Sequence, residues 1–119
     1  MKQTDITLEE GITLYVEHLE EQGRHERTLY TYRKDLEQVL VFFGPGKLLR
    51  SILVAQVGKF YRSDALLKLP DGKDRAERTL AKTLRVFRMF MVWAYTQGYI
   101  TQLPLPKATS LGRSVPSLL

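Results

Sequence analysis

Apolar residues recur three and four positions apart in four segments of the chain, and residues that begin or end helices bound each segment. In the first segment, Thr7 and Glu10 form a capping box, and Gly23 follows as a residue suited to a left-handed C-terminal position. The segment therefore predicts a first helix from about Leu8 to Gln22. Its apolar stripe comprises Leu8, Ile12, Tyr15 and Leu19.

The second segment has the same helical spacing over a longer stretch. It begins near Arg27 or Thr28 and ends at the run Gly44-Pro45-Gly46, a strong helix breaker. We expect this second helix to turn one apolar face inward, made of Leu29, Tyr32, Leu36, Val39, Leu40 and Phe43.

The third and fourth segments complete the pattern. Residues 52–62 predict a shorter helix that Ser51 caps and that extends towards Leu67. After the turn at Pro70-Asp71-Gly72, the fourth helix is the longest. Its predicted caps are Asp74 and Glu77 at the start, and it runs to Gln97 before Gly98.

The domain organisation follows from where periodicity stops. No stretch alternates with a period of two, so we expect an all-α domain of four helices over residues 1–103. Residues 104–119 contain three prolines and small polar residues without periodicity, which predicts a linker towards a further domain.

Composition excludes several classes of protein. The chain has 119 residues, of which 44% are hydrophobic and 26% charged, enough for one core. It has no cysteine, so disulfides and thiolate metal sites are excluded. A polar, acidic start is unlike a signal peptide, and the most apolar stretch is far too short to span a membrane. We therefore expect a cytoplasmic protein.

Charge is distributed unevenly along the chain. The net charge is +5, yet residues 1–22 hold one lysine and six acids, which leaves +10 on the remainder. An acidic first helix and a basic body favour one face for nucleic acid and another face kept away from it. Ordinary solvated surfaces explain the same charges equally well.

The fourth predicted helix carries the clearest binding pattern. At about 100° per residue, four basic side chains fall within a sector of roughly 80°, opposite the apolar stripe. They lie near the positive end of the helix dipole, which suits phosphates, and Thr79 adds a hydroxyl. Pairing with nearby acids is the alternative. The four residues are Arg75, Arg78, Lys82 and Arg85.

A second set lies at the start of the second predicted helix. Its members share one side at helical spacing, and an arginine in the preceding loop extends the set. An ordinary polar face is an equally good explanation. The set comprises Arg24, Arg27, Thr28, Thr31 and Lys34.

No arrangement of residues indicates catalysis by this chain. His18 and His25 have no second ligand at a metal-binding spacing, and no tyrosine has an evident activating partner. A glycine-rich phosphate loop, a serine or cysteine nucleophile motif and a carboxylate pair are all lacking. We expect no catalytic residue, metal or cofactor.

Several motifs resemble the core-binding domain of tyrosine recombinases and phage integrases. Thr28, Tyr32, Asp35-Leu36 and Phe42-Phe43 are similar to one family pattern. The last predicted helix is similar to a second family pattern, at Arg78-Thr79-Leu80, Leu84-Arg85, Phe87, Phe90, Trp93-Ala94 and Gly98 to Ile100. The tail is similar to the linker of the family, at Gln102 to Pro104 and Arg113 to Leu119. The resemblance extends over about residues 6–119, and the stretch from Asp64 to Asp74 is longer than is usual in the family.

This resemblance implies a SAM-like four-helix bundle that forms half of a clamp around double-stranded DNA. It implies that the second and fourth helices approach adjacent grooves. The residues that this carries over are Thr28, Thr31 and Lys34 in the second helix and Arg75, Arg78, Thr79, Lys82 and Arg85 in the fourth. It also implies that the catalytic residues belong to a separate C-terminal domain. The parent protein would act as a tetramer on DNA, whereas the isolated domain would be monomeric.

Two other functions fit the same sequence. A helical protein-interaction module could dock a partner through its acidic first helix or through the apolar segment from Leu66 to Leu69. A stand-alone helical regulator could bind DNA without any recombinase domain. Docking by apolar burial would be nearly independent of salt, which separates the first alternative from DNA binding.

Overall fold

Five α-helices make up most of residues 5–106, the part of the chain that a computed structural model describes. They are α1 (Leu8–Glu21), α2 (Glu26–Phe43), α3 (Val54–Tyr61), α4 (Asp64–Leu67) and α5 (Glu77–Gln97). A 3-10 turn at Leu49–Ser51 precedes α3. Within this part of the chain, extended pairing is limited to two isolated bridges. The predicted all-α bundle is confirmed.

Local capping signals account for two helix ends as predicted. At the start of α1, the Glu10 amide donates to Thr7 Oγ1 at 3.1 Å, and the Thr7 amide donates to Glu10 Oε1 at 2.9 Å. At the end of α5, Gly98 has φ 87°, a left-handed conformation that is easiest for glycine. Both signals act over a few residues, and they act here as the sequence indicates.

The starts of α2 and α3 differ from the predictions. Helix α2 begins at Glu26 because His25 Nδ1 accepts a hydrogen bond from the Arg27 amide at 3.0 Å. Ser51 does not cap α3: its hydroxyl donates to the Leu48 carbonyl at 2.7 Å inside the 3-10 turn. Helix α3 instead follows Leu53, whose amide is 3.0 Å from Gln56 Oε1.

The third predicted segment contains two helices. The chain leaves α3 at Tyr61, and α4 begins after Ser63, whose hydroxyl accepts from the Leu66 amide at 3.4 Å. A capping serine thus interrupts the apolar pattern that appeared continuous, and the bundle has five helices in place of four.

Asp74 does not cap α5, contrary to the prediction. Its carboxylate accepts a hydrogen bond from Lys68 Nζ across the turn that joins α4 to α5. That hydrogen bond raises the pKa of Lys68 and lowers the pKa of Asp74. Helix α5 begins at Glu77 with Ala76 as its N-cap, which makes no side-chain capping bond.

The core lies between α1, α2 and α5, with α3 and α4 closing one end. All four apolar positions predicted for the first helix are buried, as are Leu36 and Val39 of α2. Phe60 of α3 contacts both long helices, with its ring centroid 5.4 Å from that of Phe42 and 5.6 Å from that of Phe87. The remaining predicted positions of α2, which are Leu29, Tyr32, Leu40 and Phe43, are partly buried against this core.

Candidate nucleic-acid interface

The two predicted basic sets lie on α2 and α5 or just before them, with Arg24 in the loop before α2, and the two helices pack directly against each other. Arg75 lies just before α5, and the other three members of the stripe lie in its first half. The set members differ in exposure. Arg24, Arg27, Lys34, Arg78, Thr79 and Arg85 are exposed, whereas Thr28, Thr31, Arg75 and Lys82 are half-buried.

An ion pair joins the two helices in the middle of these sets. Asp35 of α2 is only 8% exposed, and its Oδ2 lies 2.6 Å from Lys82 Nζ. Its other oxygen, Oδ1, accepts a hydrogen bond from the buried Thr83 hydroxyl at 2.9 Å. Both partners come from α5, so one buried carboxylate holds two consecutive residues of the facing helix.

This contact brings members of the two sets together. Thr31 lies one helical turn before Asp35, while Arg78 and Arg85 lie about one turn on either side of Lys82. Residues three or four apart on a helix have Cβ atoms about 5–6 Å apart. Side chains from both sets therefore surround the point where the ion pair emerges, with Lys82 still 40% exposed.

On α2, two of the candidate side chains make contacts within the helix. The Thr31 hydroxyl donates to the Thr28 carbonyl at 3.0 Å, which leaves its oxygen free to accept. Lys34 Nζ lies 3.8 Å from Glu37 Oε1 and 5.8 Å from the Tyr30 ring centroid. Such exposed pairs contribute less than about 1 kcal/mol, so Lys34 can exchange its partner for a phosphate at little cost.

At the start of α5, Arg75 differs from the rest of its stripe. Its amide donates to the Leu67 carbonyl at 2.8 Å, and its Nε is buried with no hydrogen-bond partner in residues 5–106. Arg78 and Thr79 lie in the first turn of α5, beside the positive end of the helix dipole. These two exposed side chains are better placed for an anion than Arg75 is.

Sequence reasoning missed two residues at this surface. Arg88 is exposed and lies about 60° around α5 from Arg85, outside the predicted sector and towards Tyr61 of α3, so it adds positive charge beside the stripe. Asp35 is the other: an acidic residue on the edge of an apolar face, next to Leu36, signals a buried partner. Nothing near it in sequence indicates that the partner is Lys82.

Two tyrosines, Tyr15 and Tyr61, have their pKa raised, which makes their phenols weaker acids than a free tyrosine. Burial raises the pKa of Tyr15 to about 12, and the neighbouring Tyr32 adds to the effect while Arg24 opposes it. Burial likewise raises the pKa of Tyr61 to about 12 although Arg88 acts to lower it. Within residues 5–106, no group of three or more potential metal ligands is brought together. None of the helices in that range has the length and apolar character of a membrane span.

Comparison with known proteins supports the resemblance to tyrosine recombinases. Over 86 residues, 71% of this chain, the sequence is 31% identical to tyrosine recombinase XerC of Neisseria meningitidis serogroup B. The aligned region covers 27% of that protein, so the chain spans only a part of its relative's length. No family model matches the chain, and no solved structure matches it. The predicted similarity to the tyrosine recombinase family is confirmed.

Proposed function

We propose that this chain is the DNA-binding domain of a site-specific tyrosine recombinase or integrase and grips duplex DNA as half of a clamp. The observation that carries the proposal is the meeting of two basic sets across the contact between Asp35 and Lys82. Each set alone could be an ordinary polar surface. Together they would offer a polyanion positive charge from the two longest helices, which supports DNA binding.

The proposed DNA-binding residues are the members of both sets. Exposed arginines and lysines would bind phosphates, threonine hydroxyls would add uncharged contacts, and the first turn of α5 would offer backbone amides. A major groove about 12 Å wide admits a helix, and arginine can also reach guanine edges there. The set is Arg24, Arg27, Thr28, Thr31, Lys34, Arg75, Arg78, Thr79, Lys82 and Arg85.

Catalysis, in this proposal, belongs to a separate domain reached through the linker of residues 104–119. Residues 107–119 of that linker lie outside the described part of the chain. Breaking and joining of DNA strands would be carried out by that further domain, with this chain supplying grip and orientation. The proposal includes a tetrameric parent on DNA, a monomeric isolated domain, and a location with the nucleoid in the cytoplasm.

Protein docking is the second candidate function, and the surface of α1 favours it. The acidic side chains of that helix are all exposed: Glu9, Glu10, Glu17, Glu20 and Glu21. The other surface considered for docking is weaker, since Leu66 is 1% exposed and belongs to the core. A stand-alone DNA-binding regulator is the third candidate, and it would use the same basic surface.

Titration of a short labelled duplex at several salt concentrations tests the proposal. We expect log affinity to fall linearly with log salt, with a slope of about −0.9 per phosphate neutralised. Replacing Arg78 and Arg85 together by Glu should abolish most binding. The matched control replaces Lys59 and Arg62 together by Glu, which likewise reverses two exposed positive charges, in α3 and at its end, outside both sets. Binding that is independent of salt, or equal losses in the variant and its control, would refute the proposal.

A further inference from the structure

The only buried polar or charged residues within residues 5–106 are Asp35 and Thr83, and they contact each other. We infer that Asp35 is a positioning residue for DNA binding: it fixes α2 against α5 so that the two basic sets keep one geometry. This refines the place of Lys82 in the proposed set: Lys82 supports DNA binding by pairing with Asp35, and phosphates are left to the other basic side chains. The inference rests on the proposed function and deepens it.

The geometry supports a positioning role over simple packing. Apolar contacts between helices are non-directional and tolerate small rotations or slides of one helix on the other. Asp35, in contrast, directs one oxygen to Lys82 and the other to Thr83, and a shift of either helix would break at least one of these bonds. A buried carboxylate that loses a partner is costly, so the alignment is enforced.

The charges indicate why Lys82 contributes little to phosphate binding. Its ammonium lies 2.6 Å from a carboxylate, so the pair presents almost no net charge to a polyanion. Arg78 and Arg85 are exposed and make no salt bridge within residues 5–106. Their charges are therefore available to DNA, provided that α5 keeps its position beside α2.

Amide substitutions distinguish two roles of Lys82, pairing with Asp35 and direct binding of phosphate. For each variant, the affinity for a labelled mixed-sequence duplex and its salt slope are measured. If Asp35 positions the helices, K82Q should weaken binding at least about tenfold, and D35N should weaken it although it adds net positive charge. The D35N/K82Q double variant has the wild-type net charge, and its two amides can hydrogen-bond. We expect its affinity within about threefold of wild type, with an unchanged salt slope.

Direct phosphate binding by Lys82 predicts a different result. K82Q and D35N/K82Q would then bind equally weakly, and both salt slopes would fall by about 0.9. A D35N variant that binds DNA as tightly as wild type, or more tightly, would mean that Asp35 only offsets the charge of Lys82. Either outcome overturns the inference.

Milder changes at Thr83 keep the test decisive if a charge variant fails to fold. T83V removes one hydroxyl at nearly constant shape, and T83S keeps it. We expect T83V to weaken DNA binding by at least about threefold among folded molecules, and T83S to restore it. Equal affinities would overturn the inference, because a purely structural hydroxyl would alter unfolding alone. The R78Q variant distinguishes failure of the positioning role from failure of the proposed function. Unchanged affinity and an unchanged salt slope in R78Q would refute DNA binding at this surface itself.

Discussion

Replacing Phe60 by Ala should remove much of the stability of the domain. Phe60 is fully buried and is the main apolar anchor of α3, a helix of only eight residues. Its ring lies within 6 Å of the ring centroids of Phe42, Phe43 and Phe87, and so it joins α3 to both α2 and α5.

The magnitude follows from these contacts. Truncation of a buried phenylalanine costs about 3–5 kcal/mol through lost transfer free energy and the cavity that remains. Each aromatic pair adds about 0.5–1.5 kcal/mol beyond area burial, which places Phe60→Ala at the upper end of that range. Because domains of this size are stable by about 5–15 kcal/mol, the variant should lose about a third or more of its free energy of unfolding.

Urea denaturation followed by far-ultraviolet circular dichroism measures the effect. The matched control is Tyr30→Ala, since Tyr30 is 62% exposed and its ring contacts the Lys34 ammonium. The control should change the free energy of unfolding by less than about 0.5 kcal/mol. A loss below about 1 kcal/mol for Phe60→Ala, with an unchanged m-value, would show that the aromatic cluster does not hold α3 in place.

Other predictions concern single groups. Thr83→Val should reduce the free energy of unfolding by about 1–3 kcal/mol in urea, because its buried carboxylate partner loses a donor; no loss would contradict the hydrogen bond. Tyr15 and Tyr61 should ionise only near pH 12 in an absorbance titration, and stability should fall as the pH rises above 10, since unfolding releases phenols of pKa 10.0. Titration of every tyrosine near pH 10 would contradict their burial. Gly98→Ala should cost about 1–2 kcal/mol because of its left-handed φ of 87°, whereas the control Gly46→Ala, which has open space and no such φ, should be nearly neutral in thermal melting; equal effects would refute the assignment.

Features that depend on a few neighbouring residues were predictable from the sequence. The capping box of Thr7 and Glu10 and the end of α5 at Gly98 are local interactions, and both occur where the pattern predicts them. The apolar stripe of α1 is also local in origin, because helical periodicity alone places Leu8 and Leu19 on one face. The all-α class of the bundle follows from these signals together.

Capping by single polar residues was less predictable, because such residues have several possible partners. Asp74 and Ser51 each suit an N-cap, yet Asp74 pairs with Lys68 and Ser51 bonds within a 3-10 turn. In contrast, α2 is capped by His25, a residue for which the sequence predicted no capping role. The choice depends on where the preceding turn leaves the backbone, and the local pattern does not contain that information.

In the candidate site, local spacing likewise predicted the faces of each helix, whereas the contact between the helices was not predictable. Helical periodicity placed Lys82 on a basic stripe with Arg78 and Arg85, and that spacing holds in α5. Only the packing of α2 on α5 brings Lys82 to Asp35, which is 47 residues away in the chain. A helix determines its own faces because its geometry repeats every few residues. Which face meets which partner depends on how all the apolar stripes are buried together, and that was decided by the tertiary structure alone.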